Sequence, residues 1–223
     1  MRPSLLSHRL NGVQPNWPGA PGLTLQRSSD LARGDIATTH VLEIYNHYGT
    51  HCDLPAHFIP GARDMSTMAI EDFVFERARV IDVPLAEGAV LTAAQLASFA
   101  GEIVDADLLL IRSGFEAHRA DANYYSNNSP GIGEEAAQFI RDVNPFLRGL
   151  GIDWLSVCSF SDIDAGVAAH RALLEDREGR FVIIFEDMAI ASLDSSAIYR
   201  VTALPLLVDG LDGSPCTIIS EVH

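Results

Sequence analysis

Three histidines and an aspartate crowd the stretch His47-Tyr48-Gly49-Thr50-His51-Cys52-Asp53-Leu54-Pro55-Ala56-His57. His47, His51, Asp53 and His57 alternate with small, apolar and turn-forming residues. Neutral imidazole and carboxylate are the usual ligands of zinc and other divalent first-row metals. A lone histidine is more often a satisfied structural residue, but four such groups around a glycine and a proline point to metal binding.

Simple geometry restricts how they could share an ion. On a helix His47 and His51 would lie on one face, and Asp53 would point away. On a straight strand all four would face one way, but His47 and Asp53 would be roughly 20 Å apart at about 3.3 Å per residue. A shared ion therefore requires a sharp turn between them. Gly49 permits the dihedrals, and Pro55 forbids a continuing helix or central strand. Cys52 should turn away from the ligand side as a small buried residue.

The neighbouring elements must deliver these groups. Val41 to Tyr48 alternate as a strand does, bringing His47 to the loop. Arg79 to Val83 read as a short buried strand ended by Pro84. Thr92-Ala93-Ala94-Gln95 is a capping-box pattern, predicting a helix to about Ala100 with Gly101 as its stop. Asp107 to Ser113 contains the unbroken run Leu108-Leu109-Leu110-Ile111, a central strand. Residues Phe115 to Gly133, rich in Asn, Ser, Tyr and Gly, read as a loop, in which Tyr124 and Tyr125 either line a pocket or, the more ordinary role, pack the loop down. Glu134 to Val143 is predicted as a helix with acidic residues in its first turn, and Gly151 to Val157 as a strand. Ala168 to Leu174 read as a helix carrying His170. Arg180 to Asp187 read as a strand with Glu186 at its end, and Cys216 to Val222 as the last strand. The Pro-rich start, Pro15 to Pro21, is extended or turning. Trp17 there either anchors this arm or offers a flat wall to a planar ligand.

Composition bounds the partners. The chain has 223 residues, 48% hydrophobic, with a formal net charge of −15. That suits one globular domain over residues 1–223 and argues against nucleic acid and anionic membranes as partners. Cys52, Cys158 and Cys216 form no CxxC pair, which fits a reducing cytoplasm rather than a disulfide framework. Neither a signal peptide nor an 18-residue apolar run is visible.

The pattern HxGTHxDxPxH resembles the signature of the cyclase family of metal-dependent hydrolases, which includes bacterial kynurenine formamidase and isatin hydrolase. The resemblance extends from Trp17 to Pro215, where the turn Asp212-Gly213-Ser214-Pro215 also resembles the family, although a link between two strands is sufficient to explain it. It implies an α/β domain with a mixed, partly barrel-like sheet and peripheral helices, and a homodimer or larger assembly. It implies a site with two divalent ions, zinc or manganese. His47, His51 and Asp53 would hold one ion, and Asp53, His170 and Glu186 the other. His57 falls at the family's catalytic position, and Trp17 in its substrate-contacting segment. The gap between His170 and Glu186 is longer than the family's, through the polar turn 175–179. Trp154 and Cys158 also depart from the formamidase pattern.

The implied activity is hydrolysis of a non-peptide C–N bond, in an aryl formamide or a cyclic amide. A metal-activated water would be the nucleophile, with His57 as proton shuttle; an unperturbed pKa near 6.5 suits that role. Two rival readings remain: a non-catalytic metal-dependent protein that binds small molecules, and a polyketide-type cyclase or lyase.

Overall fold

The apolar run 108–111 divides its side chains between two cores, as a strand buried on both faces must. In the computed structural model, which describes residues 3–222, Leu108 and Leu110 face one buried cluster and Leu109 and Ile111 the other. The strands are β1 (Ser4–Leu5), β2 (Leu23–Ser29), β3 (Thr39–Ile44), β4 (His51–Asp53), β5 (Val74–Asp82), β6 (Val90–Leu91), β7 (Leu108–Arg112), β8 (Gly131–Ile132), β9 (Gly149–Ile152), β10 (Ile183–Glu186), β11 (Tyr199–Pro205) and β12 (Gly213–Val222). The helices are α1 (Ala93–Leu96), α2 (Ala100–Asp105), α3 (Ala122–Asn128), α4 (Glu134–Val143) and α5 (Ile163–Leu174), with short 3-10 turns between elements.

Seven strands close into a ring, in the order β12-β11-β5-β7-β9-β10-β4 and back to β12. β5, β7, β9 and β10 run parallel to one another, and the remaining contacts in the ring are antiparallel. β1 adds to β12 outside the ring. The sheet is therefore mixed and barrel-like, and closure leaves few bare edges. One core cluster fills the ring with Phe75, Leu108, Leu110, Phe185 and Val201. The other lies between the ring and α4 and α5, where Leu109, Ile111, Leu150 and Ile184 meet Ile140, Ala169 and Leu173. β2 and β3 form a separate antiparallel ribbon with Leu25, Val41 and Leu42 exposed. β6 and β8 form a small parallel pair.

Several boundaries differ from the sequence reading. β3 stops at Ile44, and residues 45–50 turn instead of continuing to His47; Gly49, at φ +69°, supplies the left-handed corner. The helix begun at Thr92 runs through a 3-10 turn and past Gly101 to Asp105. The loop 115–133 contains α3, capped by the Asp121 carboxylate accepting from the Tyr124 N–H. β9 ends at Ile152, because the Asp153 carboxylate there accepts from the Ser113 N–H and hydroxyl and from the Gly114 N–H. β12 begins at Gly213, so Gly213 to Pro215 pair with β4 and are not a free turn. β1, β2 and β11 were not anticipated. Among the described residues, no helix is long and apolar enough to cross a membrane.

Candidate metal centre

The ligand stretch enters the ring as its shortest strand. β4 holds only His51, Cys52 and Asp53, seated between β10 and β12, with Glu186 opposite His51 and Gly213 opposite Asp53. Alternation sends Cys52 into the ring core beside Phe185, and sends His51 and Asp53 the other way. Pro55 then opens a 3-10 turn that carries His57 back toward the same side. His170 comes from α5, capped by the Asp162 side chain. Glu186 is the last residue of β10. The next residue, Asp187, has φ +52°, and Arg119 grips its carboxylate through two hydrogen bonds of 2.8 and 2.7 Å. The Tyr125 hydroxyl donates to the same carboxylate at 3.0 Å. This buried knot fixes the chain where Glu186 must point.

The protein thereby gathers donors from three separate segments, β4, α5 and β10. His51 Nε2 is 3.4 Å from Asp53 Oδ1 and 3.4 Å from Glu186 Oε2. His170 Nε2 is 3.5 Å from Asp53 Oδ2 and 3.3 Å from Glu186 Oε1. The opposite ring nitrogens face main-chain carbonyls: His51 Nδ1 lies 2.7 Å from the Gly49 oxygen, and His170 Nδ1 2.8 Å from the Gly166 oxygen. A carbonyl only accepts, so each Nδ1 carries hydrogen, and each Nε2 is left facing carboxylate oxygens. A nitrogen so placed needs a shared cation, a proton in the stripped protein or a metal ion that displaces it. Asp53 Oδ2, fully buried, has no hydrogen-bond partner. Nitrogen and oxygen ligands about 2.0–2.2 Å from a tetrahedral ion lie about 3.4 Å apart, and the four spacings match that. Carbonyl-fixed imidazole tautomers are the usual support of a metal ligand. The donor set thus fits a divalent ion. Among the described residues three triads are close enough to share one: His47, His51 and Asp53; Asp53, His170 and Glu186; and the less buried His47, His57 and Asp212.

His47 is held differently. Its Nδ1 is 2.8 Å from Asp53 Oδ1 and its Nε2 is 3.0 Å from Asp212 Oδ2. Asp212 Oδ2 also accepts from His57 Nδ1 at 2.7 Å, and the His47 and His57 rings stack with centroids 4.0 Å apart. Sequence reading missed Asp212. It precedes β12 in a stretch read as an ordinary Asp-Gly-Ser-Pro turn; the one available signal was that this turn also resembled the family.

Charge follows from this packing. Burial lowers the affinity of His47 for a proton, but the Asp53 and Asp212 carboxylates outweigh it and raise its pKa to about 9. Burial likewise opposes protonation of His51 and His170, and the facing Asp53 and Glu186 carboxylates raise both well above the ordinary histidine value. Burial and the Asp53 charge push Glu186 up, yet His170 and His51 win and bring it down to about 2. Asp53 and Asp212 are also held below the usual carboxylate range, against burial, by the surrounding imidazoles.

A cavity of about 220 Å³ opens over this cluster. His47, His51, His57, His170 and Glu186 line it, and Trp17 with Phe58, Leu155, Ile163 and Val167 forms apolar walls. Asp53 lies beneath, fully buried. All seven residues singled out by sequence therefore meet at one place. Trp17 packs edge-on against Phe160 at 5.8 Å, and Phe58 stacks on His170 at 4.3 Å. Of the two departures at 154 and 158, Cys158 reaches the cavity, and Trp154 is buried in the core outside the ring. Tyr124 and Tyr125 do not line the cavity: Tyr124 bonds Glu87, and Tyr125 belongs to the Asp187 knot.

The sequence profile of the family described as "Putative cyclase" matches residues 5–159. The chain belongs to that family. Among curated relatives of this chain, the Arabidopsis thaliana "Cyclase-like protein 2" is 25% identical over 96% of this chain and 77% of its own. The "Kynurenine formamidase" of Bacillus cereus is 27% identical, over 94% of this chain and 92% of its own. The solved structure of isatin hydrolase A from Labrenzia aggregata shares the cyclase fold at a TM-score of 0.81 and 22% identity, covering 100% of this chain and 94% of that one.

Proposed function

We propose that this cyclase-family protein is a metal-dependent hydrolase of a non-peptide C–N bond, in an aryl formamide or a cyclic amide. The observation that carries this reading is a ring of His51, Asp53, His170 and Glu186 at ion-ligand spacing, on the floor of an apolar cavity that His57 also lines. The kynurenine formamidase and isatin hydrolase relatives support it. Zinc or manganese suits two imidazoles and two carboxylates, and with His47 the donors suffice for two ions per chain. A bound divalent ion supplies Lewis acidity and acidified water at neutral pH.

The remaining work falls to the chain itself. Trp17, Phe58, Ile163 and Val167 give a planar, weakly polar substrate apolar surface to rest on and keep bulk water out. An ionised carboxylate only accepts, so His57 Nδ1 carries hydrogen toward Asp212. Its Nε2 is then the atom free to take a proton from the attacking water and return it to the leaving nitrogen. Two further expectations are part of the same reading: residues 1–223 act as one domain, and the protein assembles as a homodimer or larger in the cytoplasm.

The test is a rate assay. Protein stripped with chelator and then reloaded with zinc or manganese is offered formanilides, isatins and small lactams. Metal-dependent ring opening or deformylation is expected. Saturable binding of these compounds with no turnover under any metal would contradict hydrolysis and favour a binding protein.

A further inference from the structure

One carboxylate oxygen holds two of the imidazoles. Asp212 Oδ2 is 2.7 Å from His57 Nδ1 and 3.0 Å from His47 Nε2, across 155 and 165 positions of chain. Both distances lie in the ordinary hydrogen-bond range. They are hydrogen bonds, and the carboxylate is the acceptor in each. This decides the tautomer of both rings. His57 is left with Nε2 free. His47 is left with Nδ1, the nitrogen that faces Asp53 Oδ1 at 2.8 Å, as its only possible ligand atom. The shared acceptor also brings the rings into a stack, 27° from parallel.

Asp212 is in turn held from behind. Its Oδ1 accepts from the Asn46 side-chain amide at 2.8 Å, and Asn46 immediately precedes His47. Its own carbonyl accepts from the Leu54 N–H at 2.8 Å, one residue beyond Asp53. That main-chain bond ties the start of β12 to the end of β4 without any help from the carboxylate. The side chain is 34% exposed, so burial does not explain an acid here either. What the carboxylate adds is an acceptor on both sides: Asn46 donates to one oxygen and the two imidazoles to the other. An asparagine of the same shape cannot do this, because its NH2 would meet a donor on one side.

We infer that Asp212 is the positioning residue of this site. It orients His57 for proton transfer, and through the same oxygen it aims His47 at the metal. The inference rests on the hydrolase reading for His57, but the part that concerns His47 can be tested without any substrate.

The test compares wild type, Asp212→Asn, His57→Ala and the double variant, first confirming that each folds by circular dichroism. Zinc affinity is measured by competition with a chromogenic chelator, and turnover on isatin and formanilide at saturating zinc. Asp212→Asn is expected to weaken zinc about 10- to 100-fold, the usual effect of losing a carboxylate behind a histidine ligand. It is also expected to lower kcat at least about tenfold, with KM little changed, as removal of an oriented acid–base group does. In the His57→Ala background it should cost no further kcat, because Asp212 acts on turnover through His57. A merely structural residue would lower kcat by the same factor in both backgrounds. That equality, or unchanged zinc affinity, overturns the assignment. If the wild type turns over neither compound, the hydrolase reading is at fault, and zinc affinity alone decides for or against Asp212. If Asp212→Asn does not fold, Asn46→Ala replaces it: weaker zinc with preserved fold supports the assignment, and unchanged zinc overturns it.

Discussion

His57 and Asp53 belong to the same short stretch, yet their surroundings give them separate duties. Asp53 is fully buried, faces His47, His51 and His170, and has one oxygen without a hydrogen-bond partner. His57 lines the cavity and lies outside the Asp53–His170–Glu186 triad, its ring edge-on to that of His170 with centroids 6.0 Å apart. His57→Ala is therefore expected to keep its metal and lose turnover by about 10²- to 10⁴-fold. Asp53→Ala should lose both. Elemental analysis beside a rate assay separates them, and a His57→Ala protein with full turnover would refute the proton-transfer role. These residues were legible in the sequence because the ligands are contiguous and their types are rarely crowded without reason. His170 and Glu186 were legible only through resemblance, since one sits on an unremarkable helix and the other at a strand end where exposure is the ordinary explanation. Asp212 had only the family likeness of its turn to mark it: nothing local to an Asp-Gly turn says that it reaches two histidines more than 150 positions away.

At the scale of elements, the second half of the site depends on a corner. Glu186 closes β10, and Asp187 leaves it in a left-handed conformation rare outside glycine. The Arg119–Asp187 pair and Tyr125 hold that corner. Arg119→Met should cost about 3–5 kcal/mol by leaving a buried carboxylate uncompensated, and should loosen metal held through Glu186. Thermal melts with metal titration check this; wild-type values for both would show that the corner holds without the pair. The other half depends on close approach of β12 to β4. A Cβ at Gly213 would press on the Cys52 carbonyl and meet His47 Cε1 at 2.9 Å. Gly213→Ala should cost about 1–3 kcal/mol and reduce metal content. A variant that melts and loads metal like wild type would contradict the close fit. The central strands and α4 were readable because unbroken apolar runs and helical periodicity are local signals. The ends of β3 and β9 were not, because tertiary hydrogen bonds such as those to Asp153 decide where pairing stops. α3 was hidden by its Asn, Ser and Tyr content and by a cap, Asp121, with no apolar periodicity behind it.

For the whole molecule, the centre links stability to pH. In protein stripped of metal, His47 titrates near 9, and His51 and His170 also lie above the ordinary value of about 6.5. Their contribution is complete below about pH 6.5 and is lost as pH rises through the folded values. Glu186, near 2, and Asp53, lowered as well, contribute above about pH 4.5, and that part is lost as pH falls through their folded values. The stripped protein should therefore be most stable between about pH 4.5 and 6.5, and weaker near pH 9. Metal must displace the same protons, so its affinity should rise with pH. Melting curves at about pH 6 and about pH 9 should show the gap between loaded and stripped protein widening. A stripped protein more stable at the higher pH would contradict this. The mixed, barrel-like sheet with peripheral helices was expected only through the family resemblance. Its closure was beyond reach of periodicity, since it rests on a three-residue strand, β4, that pairs on both sides.

The most direct measurement is an anomalous difference map from crystals grown with zinc or manganese. Density is expected among His51 Nε2, Asp53, His170 Nε2 and Glu186, with His57 on the cavity wall beside it and bonded to Asp212. Well-ordered crystals at saturating metal with no density there, or with the ion bound elsewhere, would contradict the metal centre and the hydrolase built upon it.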